Sequence, residues 1–350
     1  MSNSQAFSCN LSHSAEFSAE IIEWLRGKAP ILIVTHDHPD PDALAAAYAL
    51  KHLILMKTGQ DSTIAFGGVI GRRENLAMVK ELEIRAMPIE KVDLDSFKAV
   101  CMVDTQPGTG NNSYPTSRKV DLVIDHHHPK ELTHACRWVD VRPEYGASAT
   151  ILFEYLQSQD VNLATKLATI LFYAIKSETE DLGRDWNKSD RDAYLKLMPL
   201  CNNRILHDIT RPKSSRAYFR YFEISLRNAH IYDNVLFFNL FDIDHPEIVA
   251  EIADFLMRVE GVEIVMGLGC YLEEGVLSLR SSHPDIHAGI LMQKIVAGIG
   301  TGGGHSMTAG GQIRSLSLKR DQQHQLGNEL VDRLLSTLKL PKVPGEPLIA

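Results

Sequence analysis

The fold is decided by residues 31–42, which run Ile-Leu-Ile-Val-Thr-His-Asp-His-Pro-Asp-Pro-Asp. The first four residues are apolar and mostly β-branched, which predicts a buried strand of a parallel sheet, because such a run has no polar face to offer water. The Ala- and Leu-rich segment 43–57 then predicts a helix that Gly59 ends. A strand that leads directly into a helix is typical of the α/β class, and we expect a doubly wound parallel sheet.

The loop between this strand and this helix carries His36, Asp40 and Asp42. In open α/β sheets, ligands bind outside the carboxyl ends of the strands, where this loop lies. One imidazole and two carboxylates there could hold hard or borderline divalent cations. A solvated turn rich in Asp, His and Pro is the alternative, and the rest of the chain decides between the two.

Polar side chains follow two further apolar runs in the same way. The run 97–103 ends at Asp104, and the run 122–124 ends at residues 125–128, Asp-His-His-His. A helix-capping aspartate or a solvated histidine cluster would explain either one alone. The repetition of the pattern at successive strand ends favours a shared metal site.

Two later segments also need an explanation. The acidic segment 177–184 follows a predicted helix over 163–175, and acidic residues at the carboxyl end of a helix are unfavourable unless a positive charge, such as a bound cation, compensates. A solvated helix end is the alternative. The glycine-rich loop 300–311 contains His305. Its glycines let backbone N–H groups approach an anion closely, whereas a plain linker would not need a histidine in its middle.

The composition predicts a soluble, cytoplasmic protein of two domains. The 350 residues are 44% hydrophobic and 23% charged, and no apolar run approaches the roughly 20 residues of a membrane span. The five cysteines form no C-x-x-C pair, which is typical of reduced thiols. The net charge of -8 argues against capture of duplex nucleic acid, but it leaves room for a small phosphorylated ligand held by a few arginines.

These motifs together resemble the DHH phosphoesterase superfamily with its C-terminal DHHA1 domain, and the resemblance covers nearly the whole chain. The length and the two-domain layout are similar to those of the nanoRNases and 3′-phosphoadenosine-5′-phosphate phosphatases. RecJ exonucleases, cyclic dinucleotide phosphodiesterases and family II pyrophosphatases are relatives. The motifs that carry the resemblance are His36-x-x-x-Asp40-x-Asp42, Asp104, 125–127, 177–179 and 302–305.

The resemblance implies two Mn²⁺ ions, with Mg²⁺ or Co²⁺ as alternatives. By motif, His36 and Asp40 would bind one ion, Asp42 and His126 the other, and Asp104 would bridge them. Oxygen ligands mixed with a few imidazoles suit Mn²⁺ better than structural zinc. Two such ions about 3.5–4 Å apart would activate a bridging water for in-line displacement at phosphorus.

The fourth motif departs from the family pattern, which usually has the Asp of a Thr-Asp-Thr stretch. Here the stretch is Ser-Glu-Thr, so Glu178 is our choice for the last metal ligand, and Asp181 is the alternative. We expect His127 to contact the substrate phosphate or to donate a proton. We expect Asp125 to orient the histidines, since ligating imidazoles usually give their second N–H to a carboxylate or a carbonyl.

The expected substrate-binding residues are arginines, glycines and one histidine: Arg72, Arg184, Arg280, Gly303, Gly304 and His305. Guanidinium groups match phosphate oxygens, and solvated arginines are the alternative for Arg72. The predicted boundaries are a loose leader over 1–19, a DHH catalytic domain over 20–190, a helical connector over 191–229, a DHHA1 substrate-binding domain over 230–340 and a tail over 341–350.

The expected function is Mn²⁺-dependent hydrolysis of short oligonucleotides or of nucleotide phosphates such as 3′-phosphoadenosine 5′-phosphate. A cyclic dinucleotide, a single-stranded DNA end or pyrophosphate is the alternative substrate. A catalytically inactive nucleotide-binding protein is the alternative from another class. The expected partner is the nucleotide substrate and not a membrane, and the sequence leaves open whether the protein forms a homodimer.

Overall fold

The computed structural model describes residues 3–304, 306–314 and 319–349, with the backbone alone over 3–10. The chain divides into a first unit, Met1–Pro212, and a second unit, Lys213–Ala350. This division falls inside the predicted connector 191–229, whose helices therefore belong to both units. Across the described ranges, no helix is long and apolar enough to cross a membrane.

Parallel strands form the sheet of the first unit. Their bounds are β1 Ile31–Val34, β2 Ser62–Phe66, β3 Met87–Pro88, β4 Ala99–Val103, β5 Leu122–Asp125 and β6 Trp138–Val141. They lie in the order β3-β2-β1-β4-β5-β6. The α-helices of this unit are α1 Asn3–Leu25, α2 Pro41–Thr58, α3 Arg73–Glu81, α4 Ser148–Ser158, α5 Thr165–Glu178, α6 Lys188–Leu197 and α7 Asn203–Thr210. Short 3-10 helices cover Ile89–Lys91, Leu94–Ser96, Glu131–Ala135 and Met198–Leu200.

Strand β1 is the point at which the strand order of the sheet reverses. It pairs with β2 on one side and with β4 on the other, so that Ile33 stands opposite both Ile64 and Cys101. The chain leaves β1 through α2 towards β2 and later returns to β4 on the other side. Ligands of doubly wound sheets bind at such a switch point. The predicted doubly wound parallel sheet is confirmed.

All four side chains of β1 are buried, as predicted for a central strand. Ile31 and Ile33 belong to the core that the first unit's helices cover. Leu32 and Val34 belong to a second, smaller core on the other face, together with Ile89 of a 3-10 helix. Because side chains alternate across a strand, burial on both faces means that both faces of the sheet are covered.

Helix α2 begins and ends close to where the sequence indicates. Asp40 is its N-cap and accepts the Ala43 N–H at 3.0 Å, and Pro41 is the first helical residue. Gly59 ends the helix with φ at 72°, a left-handed conformation that glycine adopts without steric strain. The capping geometry fixes Asp40 beside the end of β1.

The prediction of a loose leader over 1–19 is wrong, because α1 covers most of that segment. Phe17 packs in the core of the first unit. Ser14 is fully buried, its hydroxyl donates to Glu154 Oε2 at 2.6 Å, and Arg142 donates to Ser14 Oγ at 2.9 Å. Buried polar groups need such partners, so this part of α1 is built into the domain.

The second unit has a mixed sheet, in agreement with the predicted smaller α/β domain. Its strands are β7 His230–Tyr232, β8 Val235–Asp242, β9 Ile264–Tyr271, β10 Glu274–Ser281, β11 Thr301–Gly304, β12 Thr308–Ile313 and β13 Glu346–Pro347. Its helices are α8 Arg216–Asn228, α9 Ile248–Leu256, α10 Ala288–Ile295 and α11 Arg320–Leu338. The strand order is β11-β12-β10-β9-β8-β7-β13, in which β8 and β9 pair in parallel and the other pairs are antiparallel.

The glycine-rich run expected as a loop is instead largely a strand pair, β11 and β12. Gly302 stands opposite Gly311, and Gly303 stands opposite Gly310. Gly302 allows close packing here, because a Cβ on it would lie 2.7 Å from Met292 Cγ of helix α10. Glycine within a strand often marks such a close approach.

Candidate metal centre

The predicted metal ligands of the first unit converge at the switch point of the sheet. His36 follows β1 after one residue, Asp104 follows β4 directly, and Asp125 is the last residue of β5. The strands β1, β4 and β5 are neighbours, and the carboxyl ends of parallel strands meet at one edge. Asp104 has φ at 57°, which is uncommon for a residue other than glycine and recurs at functional sites.

Among the residues that the structure describes, two groups of donor atoms are compact enough to hold a metal ion, and they share Asp104. One consists of His36, Asp40 and Asp104, and the other of Asp104, His126 and His127, with the donors of each group within 4.8 Å of one another. His36 Nε2 lies 3.5 Å from Asp104 Oδ2, and His126 Nε2 lies 3.5 Å from Asp104 Oδ1. The two oxygens of one carboxylate thus face two groups, as expected of a bridging ligand.

Backbone carbonyls fix the orientation of two of the imidazoles. Nδ1 of His36 lies 2.8 Å from the Asp37 carbonyl oxygen, and Nδ1 of His126 lies 3.1 Å from the Tyr145 carbonyl oxygen. A carbonyl only accepts, so each Nδ1 carries the hydrogen, and Nε2 is the ring nitrogen that faces the carboxylates. This second hydrogen bond is typical of metal-ligating histidines.

Asp42 is buried at the amino end of helix α4. Its Oδ2 accepts the Ser148 N–H at 2.7 Å, and its Oδ1 accepts the Ala149 N–H at 2.8 Å. His126 Nε2 lies 3.9 Å from Asp42 Oδ2. The positive end of the helix dipole therefore faces this carboxylate. Asp42 lies beside the two compact groups rather than within them, and its role as a ligand stays a prediction.

The geometry favours Glu178 over Asp181 as the acidic residue of the fourth motif. Glu178 is the last residue of α5 and lies near enough to Asp40 for the two charges to repel each other. Asp181 has other partners, because it forms an ion pair with Lys176 and accepts the Tyr194 hydroxyl at 2.9 Å. Glu178 is therefore within reach of the charge of Asp40, whereas Asp181 is held by Lys176 and Tyr194, and metal binding by Glu178 stays a prediction.

The electrostatics of the centre favour added positive charge. Burial and the charges of Asp104, Asp40 and Glu178 raise the pKa of Asp42 well above its ordinary value. Burial and the charge of Asp40 raise the pKa of Glu178 to about 7. Burial alone lowers the pKa of His36, but Asp40 and Asp104 outweigh it and raise this pKa well above its ordinary value. Divalent cations would relieve the repulsion, and oxygen donors mixed with imidazoles suit Mn²⁺ or Mg²⁺.

His127 differs from His36 and His126 because its Nδ1 faces a carboxylate and not a backbone carbonyl. Asp125 Oδ1 accepts the His127 backbone N–H at 3.2 Å and lies 2.8 Å from Nδ1 of the ring. Burial alone lowers the pKa of His127, whereas the bond to Asp125 and the charge of Asp104 raise it to about 9. In the metal-free protein the ring is therefore an imidazolium at neutral pH, which suits the predicted role as proton donor or phosphate contact.

Two buried residues that the sequence analysis did not single out support the centre. Gln106 Nε2 donates to Asp125 Oδ2 at 2.7 Å, and Gln106 Oε1 accepts the Lys130 N–H at 2.9 Å. Ser148 Oγ donates to Asp104 Oδ1 at 2.9 Å. The sequence indicates these supporting roles only weakly. Gln106 lies two residues after the predicted ligand Asp104, and Ser148 is the first residue of helix α4.

The two predicted phosphate-binding arginines of the first unit occupy different places. Arg184 Nη2 donates to the Glu178 carbonyl oxygen at 2.9 Å and lies 3.5 Å from Glu178 Oε1, so this guanidinium lies beside Glu178. Arg72 is the N-cap residue of α3, in the connection that follows β2. Phosphate binding by either residue stays a prediction.

In the second unit, Gly303 and Gly310 present bare backbone on one face of the sheet, and we call this pair the glycine strip. Of the atoms in the described part of the chain, a Cβ on Gly303 would come within 4 Å of Gln293 Nε2 alone, at 3.9 Å, and a Cβ on Gly310 of the Leu277 carbonyl oxygen alone, at 3.9 Å. The neighbouring Gly302 has no such space, because it faces Met292. The strip therefore leaves the main chain accessible to a flat ligand.

Arg280 lies on the same face of the sheet as the glycine strip. Ser278 stands opposite Gly310, directly opposed residues share a face, and Arg280 follows Ser278 at the two-residue period of a strand. The guanidinium of Arg280 is held by Asp254 and by Ser278 Oγ, the latter at 2.9 Å. Phosphate binding by Arg280 stays a prediction, as does substrate binding by Gly304, the last residue of β11. The predicted residue His305 lies outside the described residues.

Comparison with known proteins gives a family match in each unit. Residues 30–175 match the N-terminal domain of the DHH family, and residues 233–339 match the DHHA1 domain. An uncharacterised protein of Methanocaldococcus jannaschii is 35% identical over 287 residues, which are 82% of this chain and 58% of that protein.

Two further relatives are more distant. A probable manganese-dependent inorganic pyrophosphatase of Lactobacillus delbrueckii subsp. bulgaricus is 25% identical over 148 residues, which are 42% of this chain and 47% of that protein. The chain thus spans about half the length of these curated relatives. The crystal structure of an exopolyphosphatase-related protein of Bacteroides fragilis has a TM-score of 0.72 at 14% identity and covers 95% of this chain and 98% of that chain. At this identity, the likeness shows a shared fold.

Proposed function

The chain belongs to the DHH family and carries a DHHA1 domain, and from this premise we propose that it is a divalent-metal-dependent phosphoester hydrolase. The observation that carries the proposal is the Asp104 carboxylate, which belongs to both donor groups and faces His36 with one oxygen and His126 with the other. Sites with paired ions hydrolyse phosphate esters. The proposed substrates are short oligonucleotides or nucleotide phosphates such as 3′-phosphoadenosine 5′-phosphate.

The proposed ion is Mn²⁺, because the donors are carboxylates and imidazoles and because one relative is described as manganese-dependent. When bound, a pair of such ions supplies a more acidic water and neutralises phosphate charge. The residues proposed to hold the pair are His36, Asp40, Asp42, Asp104, His126 and Glu178.

The chain's own residues would do the remaining work at the reacting phosphate. His127, with its pKa raised to about 9, would donate a proton to the leaving oxygen or contact a phosphate oxygen. Asp125 would hold the ring through Nδ1, at 2.8 Å. Arg184 and Arg72 would contact phosphate oxygens, which a guanidinium fork matches.

The second unit is proposed to have its own contacts with the nucleotide. A base or sugar could lie against the backbone of Gly303 and Gly310, where the described residues leave room for at least a Cβ. Arg280, on the same face, would contact a terminal phosphate.

The test is an assay of the purified protein with a substrate panel. We expect Mn²⁺ to support release of mononucleotides from a diribonucleotide, or of phosphate from 3′-phosphoadenosine 5′-phosphate, and we expect a chelator to abolish the reaction. His126→Ala should remove activity, whereas His134→Ala, a change to an exposed histidine of the same loop, should retain it. Equal activity of the two variants, or no metal-stimulated hydrolysis of any panel member, would refute the proposal.

Pyrophosphate is the second candidate substrate, favoured by the manganese-dependent pyrophosphatase relative. That match covers 148 residues, 42% of this chain, so it bears on only part of the molecule. The open glycine strip argues mildly for a larger ligand. Turnover of pyrophosphate at a rate above that of every nucleotide in the panel would establish this alternative.

A further inference from the structure

We propose that Ser148 is a positioning residue that fixes the Asp104 carboxylate between the two donor groups. The inference rests on the proposed function, since it assigns a role within the same metal centre. It concerns a neutral side chain that binds no substrate and no metal itself and acts only through Asp104.

The bridging position of Asp104 needs a fixed carboxylate plane. Oδ1 faces His126 and Oδ2 faces His36, each imidazole Nε2 lying 3.5 Å away. The torsion about the Cβ–Cγ bond of an aspartate is broad, so an unrestrained carboxylate would rotate out of this arrangement. Within the described residues, the hydroxyl of Ser148 is the one uncharged side-chain donor to this carboxylate, at 2.9 Å from Oδ1.

Ser148 is well placed for this role because its own position is fixed. It is fully buried and is the first residue of α4. Its backbone N–H donates to Asp42 Oδ2 at 2.7 Å, while its hydroxyl donates to Asp104 Oδ1. One residue therefore sets the position of two carboxylates relative to each other, from the rigid start of a helix.

The two contacts of Ser148 can be separated by substitution. Ser148→Ala removes the hydroxyl bond to Asp104 and keeps the backbone N–H bond to Asp42. Ser189→Ala is the matched control, because Ser189 is also a buried serine of the first unit and its hydroxyl lies 3.3 Å from Tyr145 Oη. In the described part of the chain it has no hydrogen bond to a predicted metal ligand.

The experiment titrates metal-free protein with Mn²⁺ and follows electron paramagnetic resonance, which reports free Mn²⁺ and the spin coupling of a bound pair. We expect the wild type and Ser189→Ala to bind two coupled ions. Ser148→Ala should bind the second ion about 10–100-fold more weakly, as is typical when a residue that orients a ligand is lost, and its coupling should change. Ser148→Thr keeps a hydroxyl on the same Cβ and should retain the coupled signal.

The outcomes separate this inference from the proposed function. Wild-type protein that binds no Mn²⁺ pair would overturn both. A wild-type pair together with an unchanged affinity and spectrum in Ser148→Ala would overturn the role of Ser148 alone. If Ser148→Ala does not fold, Ser148→Cys replaces it, because a thiol of similar size is a weak donor. Wild-type binding by that variant would equally overturn the role.

Discussion

The donor edge of the first unit and the glycine strip of the second unit are suited to ligands by opposite means. The donor edge is the pair of donor groups formed by His36, Asp40, Asp104, His126 and His127. At the donor edge, charged side chains carry the chemistry, and buried neutral residues orient them, as Ser148 does for Asp104. At the strip, Gly303 and Gly310 offer main chain because side chains are absent. Changes at the edge should therefore alter metal binding and turnover, whereas changes at the strip should alter substrate affinity.

The largest expected effect, and the most direct way to break this comparison, is Asp104→Asn. Removal of the Asp104 charge, which both donor groups share, should lower turnover about a thousandfold or more. Stabilisation of the transition state by metal ions is worth several kcal/mol, and each 1.36 kcal/mol is a factor of about ten in rate. The control is Asp121→Asn at the amino end of β5, where the buried Asp121 accepts the Val100 N–H at 3.1 Å. Initial rates at saturating Mn²⁺ check the prediction, and turnover within tenfold of wild type in Asp104→Asn would contradict it.

A matched pair of buried glutamines, one in each unit, sharpens the comparison. Gln106→Leu should lower kcat about 10–100-fold, because Asp125 loses the donor that fixes it. Gln323→Leu removes a similar bond, from Gln323 Nε2 to Asp242 Oδ1 at 2.9 Å, and should lower only stability. Steady-state kinetics and thermal unfolding of both variants distinguish the two effects. Equal loss of kcat in both would mean that Gln106 acts through general stability.

At the strip, Gly303→Val should raise KM for a nucleotide substrate about tenfold, roughly 1.4 kcal/mol of binding, with Mn²⁺ affinity unchanged. The added side chain enters open space, so folding should tolerate it. Gly302→Ala is the opposite case, because its Cβ would lie 2.7 Å from Met292 Cγ. Overpacking there should cost about 1 kcal/mol of stability or more and leave KM unchanged. Substrate saturation curves and melting temperatures check both, and an unchanged KM in Gly303→Val would remove the strip from the substrate site.

The two regions also differ in how far the sequence predicts them. The donor edge is predictable because imidazoles and carboxylates follow apolar runs and because parallel strands end at a common edge, as with His36 after β1. The strip is not, because glycine allows both a loop and a strand, and only the packing of helix α10 decides.

The supporting residues are the part that the sequence hides. Ser148 and Asp104 are separated by 44 positions, and Gln106 and Asp125 by 19. Serine and glutamine are common residues whose role depends on what folding brings beside them. Helix α1 was hidden for a different reason, because its sequence is rich in serine, which does not indicate that side chains such as Phe17 and Ile21 are buried.

The smallest expected effect is a change in how the free energy of unfolding depends on pH. It tests whether the donor edge extends to Glu178. In the metal-free protein, burial and the charge of Asp40 raise the pKa of Glu178 from 4.5 to about 7. The folded state then binds more protons than the unfolded state between these values. The contribution of Glu178 to stability is therefore fully present below about pH 4.5 and is lost as the pH rises through about 7.

The side chain that Glu178→Gln introduces cannot ionise, so the free energy of unfolding of this variant should not decline as the pH rises through about 7. Glu180→Gln changes an exposed neighbour and should keep the decline. Chemical denaturation of the metal-free proteins across this pH window measures the difference between variants, in which the titrating groups far from Glu178 cancel. Mn²⁺ should oppose the decline in the wild type, because a bound cation stabilises the ionised carboxylate. An identical slope in Glu178→Gln and the wild type would mean that Glu178 lies outside the field of Asp40, and the donor edge would then end at the strands and α2.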